Sequence, residues 1–316
     1  MKQAFKAHAD ALSRLAAVAL IFAILILISP SFGTITNILN VLRISSLTLM
    51  IATGIAMCML VGGIDLSVGA TIALTSILFG RYFQIGHSAL EMVMGMAGIL
   101  ALSAAIGASN GLCVAYLKLP PFLATYGVQQ IARGLAYLLT EGLVYSNFTE
   151  EFKFIGGGYA LGVPTPILFA AALLIAIGLM LNKTTLGRRI YAVGSNREAA
   201  RYSGINVKGT LLTAYTLSGL TAGIAGIVYT SRLNCAEPTI GAEFAQQAIA
   251  AAAIGGISFK GGHGNVFGVI IGAVILTLIT NGMTLLGIDS NWQVGVTGVI
   301  IILSVLIDRN TAKKKV

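Results

Sequence analysis

Charge is what this sequence has least of. Only 10% of its 316 residues are Asp, Glu, Lys or Arg, against 56% that are hydrophobic. A soluble domain carries about 25% charged residues. So few charges cannot cover a water-facing surface, which excludes a soluble globular protein. Acids are the scarcer sign, 11 against 20 Lys and Arg, giving a net charge of +9. That excess would suit nucleic acid, but it sits in short segments beside apolar runs, as cytoplasmic loops of membrane proteins do. Nucleic acid is therefore excluded as a partner, and membrane lipid takes its place. Cysteine is also sparse. Cys58, Cys113 and Cys235 are odd in number and widely spaced, so they make no disulfide framework or metal knuckle. Cys58 and Cys113 are read as small apolar side chains. His8, His87 and His263 lie far apart, and no metal site is expected.

The sequence also has no GxxxxGK(S/T) phosphate loop. The nearest cluster, Gly262-His263-Gly264 with Gly268, misses dinucleotide-loop spacing and reads as a glycine-rich turn. ATP hydrolysis by this chain itself is not expected. No paired histidines, and no nucleophile with a base, converge in sequence. An enzyme embedded in the membrane is the weaker reading for that reason.

Apolar runs and glycine are abundant. The 38 glycines exceed average usage of roughly 7%, and small residues let helices approach closely in lipid. GxxxG spacings fall at Gly107/Gly111, Gly219/Gly223, Gly264/Gly268 and Gly268/Gly272. They are read as general helix packing rather than a dedicated dimer seam. A spanning helix needs about 20 predominantly apolar residues. Charges and Gly/Pro clusters divide the chain into about ten candidates, near 15–29, 44–63, 66–80, 92–117, 119–140, 165–181, 211–229, 245–258, 266–286 and 293–307. The third and eighth are short enough either to cross or to re-enter. Lys2, Lys6 and Arg14 before the first run resemble the start of a signal peptide. No small-x-small cleavage pattern clearly follows, so an uncleaved first span is the better reading.

Charge tests the count. Lys2, Lys6 and Arg14 outweigh Asp10 at one terminus; Arg309, Lys313, Lys314 and Lys315 outweigh Asp308 at the other. Both termini read as cytoplasmic. The segment 182–210 falls after the sixth crossing, on the same side, with Lys183, Arg188, Arg189, Arg197, Arg201 and Lys208 against Glu198 alone. The loop 141–164 falls outside, and carries Glu141, Glu150 and Glu151 against Lys153. The expected fold is an all-α integral membrane protein, one transmembrane unit over 1–316, with no separate soluble domain.

Three features are candidates for function. Within 182–210, Ser195 can cap a short helix, Glu198 completes a capping box, and Gly204 is placed to end it in the left-handed conformation. A capped helix rimmed with Arg is a docking element; the plainer reading is a basic loop that only fixes topology. The second is Gly62–Gly69, with Asp65 and Ser67 at the junction of two spans. An ionised Asp at a helix centre costs roughly 2.5–3.5 kcal/mol on insertion scales. It must lie near an interface, be paired, or line a polar cavity. Capping of the helix that begins near Leu66, by Asp65 or by Ser67, ranks ahead of contact with a solute. The third is the set of polar residues within spans: Asn110, Gln129, Gln130, Arg133, Gln246, Gln247 and Asn281. For any one of them interhelical hydrogen bonding suffices, but as a set they mark a polar pathway suited to a hydroxyl-rich solute. Arg133 is the least easily explained as packing.

GGIDLSVGA at 62–70, NGLCVAYLKLPPFLATYGVQQIARGLA at 110–136, TTLGRRIYAVGSNREAARYSGINV at 184–207 and GGISFKGGHGNVFGVIIGAVIL at 255–276 resemble the ribose-type monosaccharide permeases. Those are membrane subunits of ATP-binding cassette (ABC) importers in the bacterial inner membrane. The resemblance runs in order over nearly the whole chain. It implies a permease homodimer, a cytoplasmic ATPase that binds ATP and Mg, and a periplasmic sugar-binding protein, with no cofactor in this chain. It also implies that the coupling helix is Ser195, Asn196, Arg197, Glu198, Ala199, Ala200, Arg201, Ser203 and Gly204. One departure is Ser258-Phe259-Lys260, where related chains often carry a smaller or apolar residue. The implied function is passage of a pentose or hexose by alternating access, with no covalent chemistry. The alternatives are another cargo, such as a sugar-like signal or a nucleoside, and an ion-coupled secondary transporter. The last would want intramembrane carboxylates, and Asp65 is the one acid near a span interior.

Overall fold

The computed structural model describes residues 2–82 and 88–313, with side chains over 14–82, 88 and 90–306. The charges read at Lys2, Lys6 and Asp10 and from Asp308 to Lys315, and His8 and His87, lie outside those described side chains. The helices are α1 Lys2–Ile28, α2 Ile35–Leu60, α3 Val68–Tyr82, α4 Ala89–Ala115, α5 Pro121–Thr140, α6 Glu150–Gly157, α7 Thr165–Lys183, α8 Thr185–Ser195, α9 Arg197–Tyr202, α10 Val207–Leu233, α11 Phe244–Ile254, α12 Val266–Leu285 and α13 Ser290–Lys313. A 3-10 turn at Pro30–Gly33 joins α1 to α2. Among the described residues, four two-residue strands, β1 Tyr145–Ser146, β2 Tyr159–Ala160, β3 Val163–Pro164 and β4 Cys235–Ala236, pair as β1 with β4 and β2 with β3.

Among the described residues, five helices are long and apolar enough to cross a membrane: Ile35–Leu60, Leu90–Ala115, Thr165–Lys183, Val207–Leu233 and Val266–Leu285. Contacts between turns sort the helix ends into two groups. At the first end, Arg14 Nη1 donates to the Gly255 carbonyl at 2.5 Å, and Tyr191 Oη donates to the Gly264 carbonyl at 2.9 Å. There too, Gly262 N–H donates to Leu60 O at 2.9 Å, and the Lys208 ammonium lies 5.1 Å from the Tyr116 ring centre. These contacts unite α1 with the turns 61–67, 116–120, 184–206 and 255–265. At the second end, β1 meets β4, Arg81 Nη1 donates to Leu139 O at 3.3 Å, and Asn37 and Asn281 exchange amide bonds of 3.1 Å. Successive long helices therefore run back and forth between the two ends.

Beyond shifts of a few residues and the start of α1 at Lys2 rather than near 15, two boundaries differ from the sequence expectation. The second helix starts at Ile35 rather than near 44, capped by Thr34, whose Oγ1 accepts Asn37 N–H at 3.3 Å. Arg43 sits within it without ending it, because its guanidinium lies over the Tyr159 ring at 4.7 Å. The eighth run is helical only over Phe244–Ile254. Eleven residues reach about 16 Å at 1.5 Å per residue, short of a ~30 Å hydrocarbon core. The irregular stretch 234–243 precedes that helix, and its Ala236 and Ile240 are buried. Non-helical backbone at membrane depth persists where protein covers it.

α2 is the central helix. From Leu49 to Leu60 every residue is buried, with α7, α10, α11 and α12 around it. A helix apolar on all sides belongs in such a position. The two GxxxG pairs of α4 and α10 face one another within the chain. A Cβ on Gly107 would come 2.9 Å from Gly219 N, and one on Gly111 would come 2.8 Å from Leu212 Cα. Gly223 lies against Ser103 in the same seam. Gly268 and Gly272 serve the α11–α12 contact in the same way, against Gly255 and Ala251. Gly107→Ala should therefore cost about 1–3 kcal/mol of stability through overpacking. Gly98→Ala on the same helix, where nothing lies within 4 Å, should be neutral. Thermal unfolding of the two purified variants in detergent checks the contrast.

Candidate coupling surface and central polar cluster

At the first end, α8 and α9 stand out from the helix layer. Thr184 caps α8, its Oγ1 accepting Gly187 N–H at 3.3 Å. α8 runs through Ser195, so Ser195 is not the cap of the next helix. Its hydroxyl donates back to Tyr191 O at 2.9 Å. Asn196 takes the extended conformation instead, and its Oδ1 accepts Ala199 N–H at 3.0 Å. The capping box expected between Ser195 and Glu198 is therefore not formed. The cap has moved one residue along, and Glu198 pairs with Arg201 at 3.1 Å on the exposed surface. Gly204, at φ +77°, follows the last turn in the left-handed region.

The resulting surface is one-sided. Asn196, Arg197, Glu198, Ala199, Arg201, Tyr202, Ser203 and Gly204 are exposed, while Ala200 is buried as the anchor. α8 fixes α9 from beneath. Ile190 and Val193 are buried in the core, and Gly194 lies so close to the Leu60 and Gly262 backbone that no side chain would fit. Burial pushes the Tyr191 phenol above its ordinary pKa, so it stays the donor to Gly264 O. Arg197 Nη2 donates to Val61 O at 3.1 Å and Gly62 O at 3.3 Å. Those carbonyls close the C-terminus of α2, where a cation is favoured. Phe259, the departure from the family pattern, packs against the core from the 255–265 turn.

Deeper in, Asp65 is wholly buried and takes four hydrogen bonds. Its Oδ1 accepts Ser67 N–H at 2.9 Å, Ser67 Oγ at 2.7 Å and Asn110 Nδ2 at 3.2 Å. Its Oδ2 accepts Ser218 Oγ at 2.8 Å. Asn110 Nδ2 also donates to Ser67 Oγ at 2.7 Å. Tyr215 Oη donates to Ile64 O at 3.3 Å. The carboxylate thus ties the α2–α3 turn to α4 and α10, and presents nothing to solvent.

The remaining polar candidates do not converge on that cluster. Gln129 is half-buried and Gln130 exposed on α5. Arg133 turns inward from α5, and its Nη1 donates to the carbonyls of Pro238 and Ile240. Gln246 is exposed on α11. Gln247 lines a cavity of about 310 Å³ with Thr48, Tyr229, Arg232 and Phe244. Asn281 is paired with Asn37, which also donates to Phe32 O at 3.1 Å. Sequence reasoning missed Ser218, Tyr215 and Asn37. The one available signal was the position of Ser218 beside the Gly219/Gly223 pair, on a helix destined for close packing.

Comparison with known proteins decides the family. The family described as "Branched-chain amino acid transport system / permease component" matches residues 37–305. The ribose import permease protein RbsC of Escherichia coli (strain K12) is 42% identical over 298 residues, 93% of this chain and 92% of its own. The chain belongs to the ribose-type ABC permeases. RbsC of Bacillus subtilis (strain 168) is 38% identical over 92% of this permease and 90% of its own length. The D-allose transport system permease protein AlsC of Escherichia coli (strain K12) is 38% identical over 93% and 90%. No solved structure matches. Family membership places the permease in the inner membrane as a multi-pass protein, in keeping with its membrane-length helices.

The cap assignment carries its own test. Asn196→Ala should remove about 0.5–2 kcal/mol from α9 and raise hydrogen exchange across 197–203. Ser195→Ala should leave that exchange unchanged, because Ser195 bonds back into α8.

Proposed function

We propose that this permease passes a monosaccharide, ribose or a close pentose or hexose, through the bacterial inner membrane as one half of a homodimer. A separate ATPase binds ATP and Mg and docks on α9, and a periplasmic sugar-binding protein delivers the cargo at the second end. The observation that carries this reading is the exposed, capped α9 beside the Arg197 contact to the α2 terminus. A loop that served only for charge bias would need neither the Asn196 cap nor the buried anchor Ala200. The first end is then cytoplasmic, both termini lie on that side, and ten passages cross the bilayer.

α5 supports the pathway half of the reading. It exposes Phe122, Leu123, Tyr126, Ile131 and Leu138, and a Cβ on Gly127 or Gly134 would meet no other part of the chain within 4 Å. A second permease facing this helix would enclose Gln129 and Gln130, whose amides offer donors and acceptors to sugar hydroxyls. Asp65, Ser67 and Asn110 then serve the frame and not the solute. Cargo follows the relatives: ribose import permeases at 42% and 38% identity, an allose permease at 38%, and a galactose/methyl galactoside import permease at 35%.

The experiment is uptake of labelled ribose into proteoliposomes holding the permease, its ATPase and its binding protein. Glu198→Lys reverses one charge on the exposed face of α9 and breaks the Arg201 pair, which as a surface pair is worth about 0–1 kcal/mol. It should leave insertion and dimerisation intact while uptake per ATP falls. Uptake at the unsubstituted rate would contradict the placing of the ATPase on α9.

A further inference from the structure

Two segments that break the helical pattern come from opposite ends, and the second reaches the first turn of α3, which follows directly on the first. The first is the turn 61–67 between α2 and α3. The second is the stretch 234–243 between α10 and α11. Gly69 of α3 and Gly241 of that stretch touch backbone to backbone. A Cβ on Gly241 would come 2.7 Å from the Gly69 carbonyl, and Gly241 has φ +74°. Neither position accepts a side chain, so the contact has no rotamers that could absorb a displacement.

Each segment is also gripped by an arginine from another helix. Arg197 of α9 holds the first through the Val61 and Gly62 carbonyls, at 3.1 and 3.3 Å. Arg133 of α5 holds the second through the Pro238 and Ile240 carbonyls. Within the first segment, Asp65 fixes the start of α3 by accepting the Ser67 N–H at 2.9 Å.

We propose that Arg197 and Arg133 are positioning residues at the two ends of a mechanical link, which carries displacement of α9 through the α2–α3 turn and the Gly69–Gly241 contact to α5. This rests on the reading of α9 as the ATPase-docking helix and adds the route by which docking reaches the pathway. The link runs over backbone carbonyls and a glycine contact, held by charge-assisted hydrogen bonds, which are stronger than neutral ones. Packed contacts of this kind shift between discrete arrangements instead of yielding continuously. α5 is the natural receiver, because its outward face is uncovered within the chain and it can move without repacking the core around α2.

The test uses the full transporter, with ATPase and binding protein, in proteoliposomes. A cysteine placed at Gly134, on the open face of α5, is labelled with a maleimide with and without ATP, and the labelling of the unmodified chain is subtracted. The parent Gly134→Cys chain should change its labelling rate with ATP. Arg197→Gln and Arg133→Met should lose that change and lose sugar uptake while still hydrolysing ATP. Arg197→Lys, which keeps a charged donor at the carbonyls, should retain it in part. Arg133 lies far from the ATPase, so its variant decides the matter if Arg197→Gln fails to hold the ATPase. A parent chain without ATP-driven uptake overturns the permease reading itself. A parent that transports, with Arg133→Met showing the parent's ATP-dependent labelling and uptake, overturns the link alone, as does a transporting parent whose Gly134 site ignores ATP.

Discussion

The rest of the structure depends on one buried carboxylate. Asp65 stands where α2 has ended and α3 has not begun, a place where the backbone cannot satisfy itself by helical bonds. Its two oxygens gather the Ser67 amide and hydroxyl, the Asn110 amide and the Ser218 hydroxyl. A buried polar group without partners costs on the order of several kcal/mol, and full satisfaction turns that liability into a joint. Three elements distant in sequence, the α2–α3 turn, α4 and α10, are fixed to one another at this point.

Glycine supplies the complementary constraint. The Asp65 joint needs α4 and α10 close enough for Asn110 and Ser218 to reach the same side chain. The Gly107/Gly111 and Gly219/Gly223 pairs provide that approach, in an environment where apolar side chains gain little by associating with each other. The same device recurs between α11 and α12, and between α3 and the 234–243 stretch. The molecule is therefore a set of helices held at backbone distance, with its irregular segments buried where protein can satisfy them.

Much of this was legible in the sequence. The apolar runs and charge clusters marked the helices and their alternation, since helix ends in lipid are written in Lys, Arg, Gly and Pro. The permease class was legible from four motifs in order, and the family and its relatives agree with it. The left-handed Gly204 was legible because few other residues accept that conformation. Other features were not. The Ser195 cap was displaced to Asn196 because α8, itself unread in the polar segment, runs through Ser195. The second span was read as starting near 44, just past Arg43, whose partner Tyr159 lies far off in sequence. The Asp65–Ser218 bond joins residues separated by 153 positions, and no local pattern records such a pairing. The pathway set mixed residues of different use: Asn110 and Asn281 hold helices together, Arg133 holds a loop, and Gln130 faces outward.

Function, on this account, follows from rigidity placed beside openness. α2 is buried without a break from Leu49 to Leu60. α9 projects from one end on a fixed base, and α5 presents an uncovered face. A transporter driven from outside its own chain needs both: a firm handle and a part free to move. The most direct test of the account is whether Asp65 is the joint between them. A double-mutant cycle of Asp65→Ala and Ser218→Ala, read by equilibrium unfolding in detergent, isolates that bond. The account predicts a coupling energy of about 1.5–3 kcal/mol, as for hydrogen bonds to charged groups. Additivity within about 0.5 kcal/mol, the behaviour of independent sites, would contradict it.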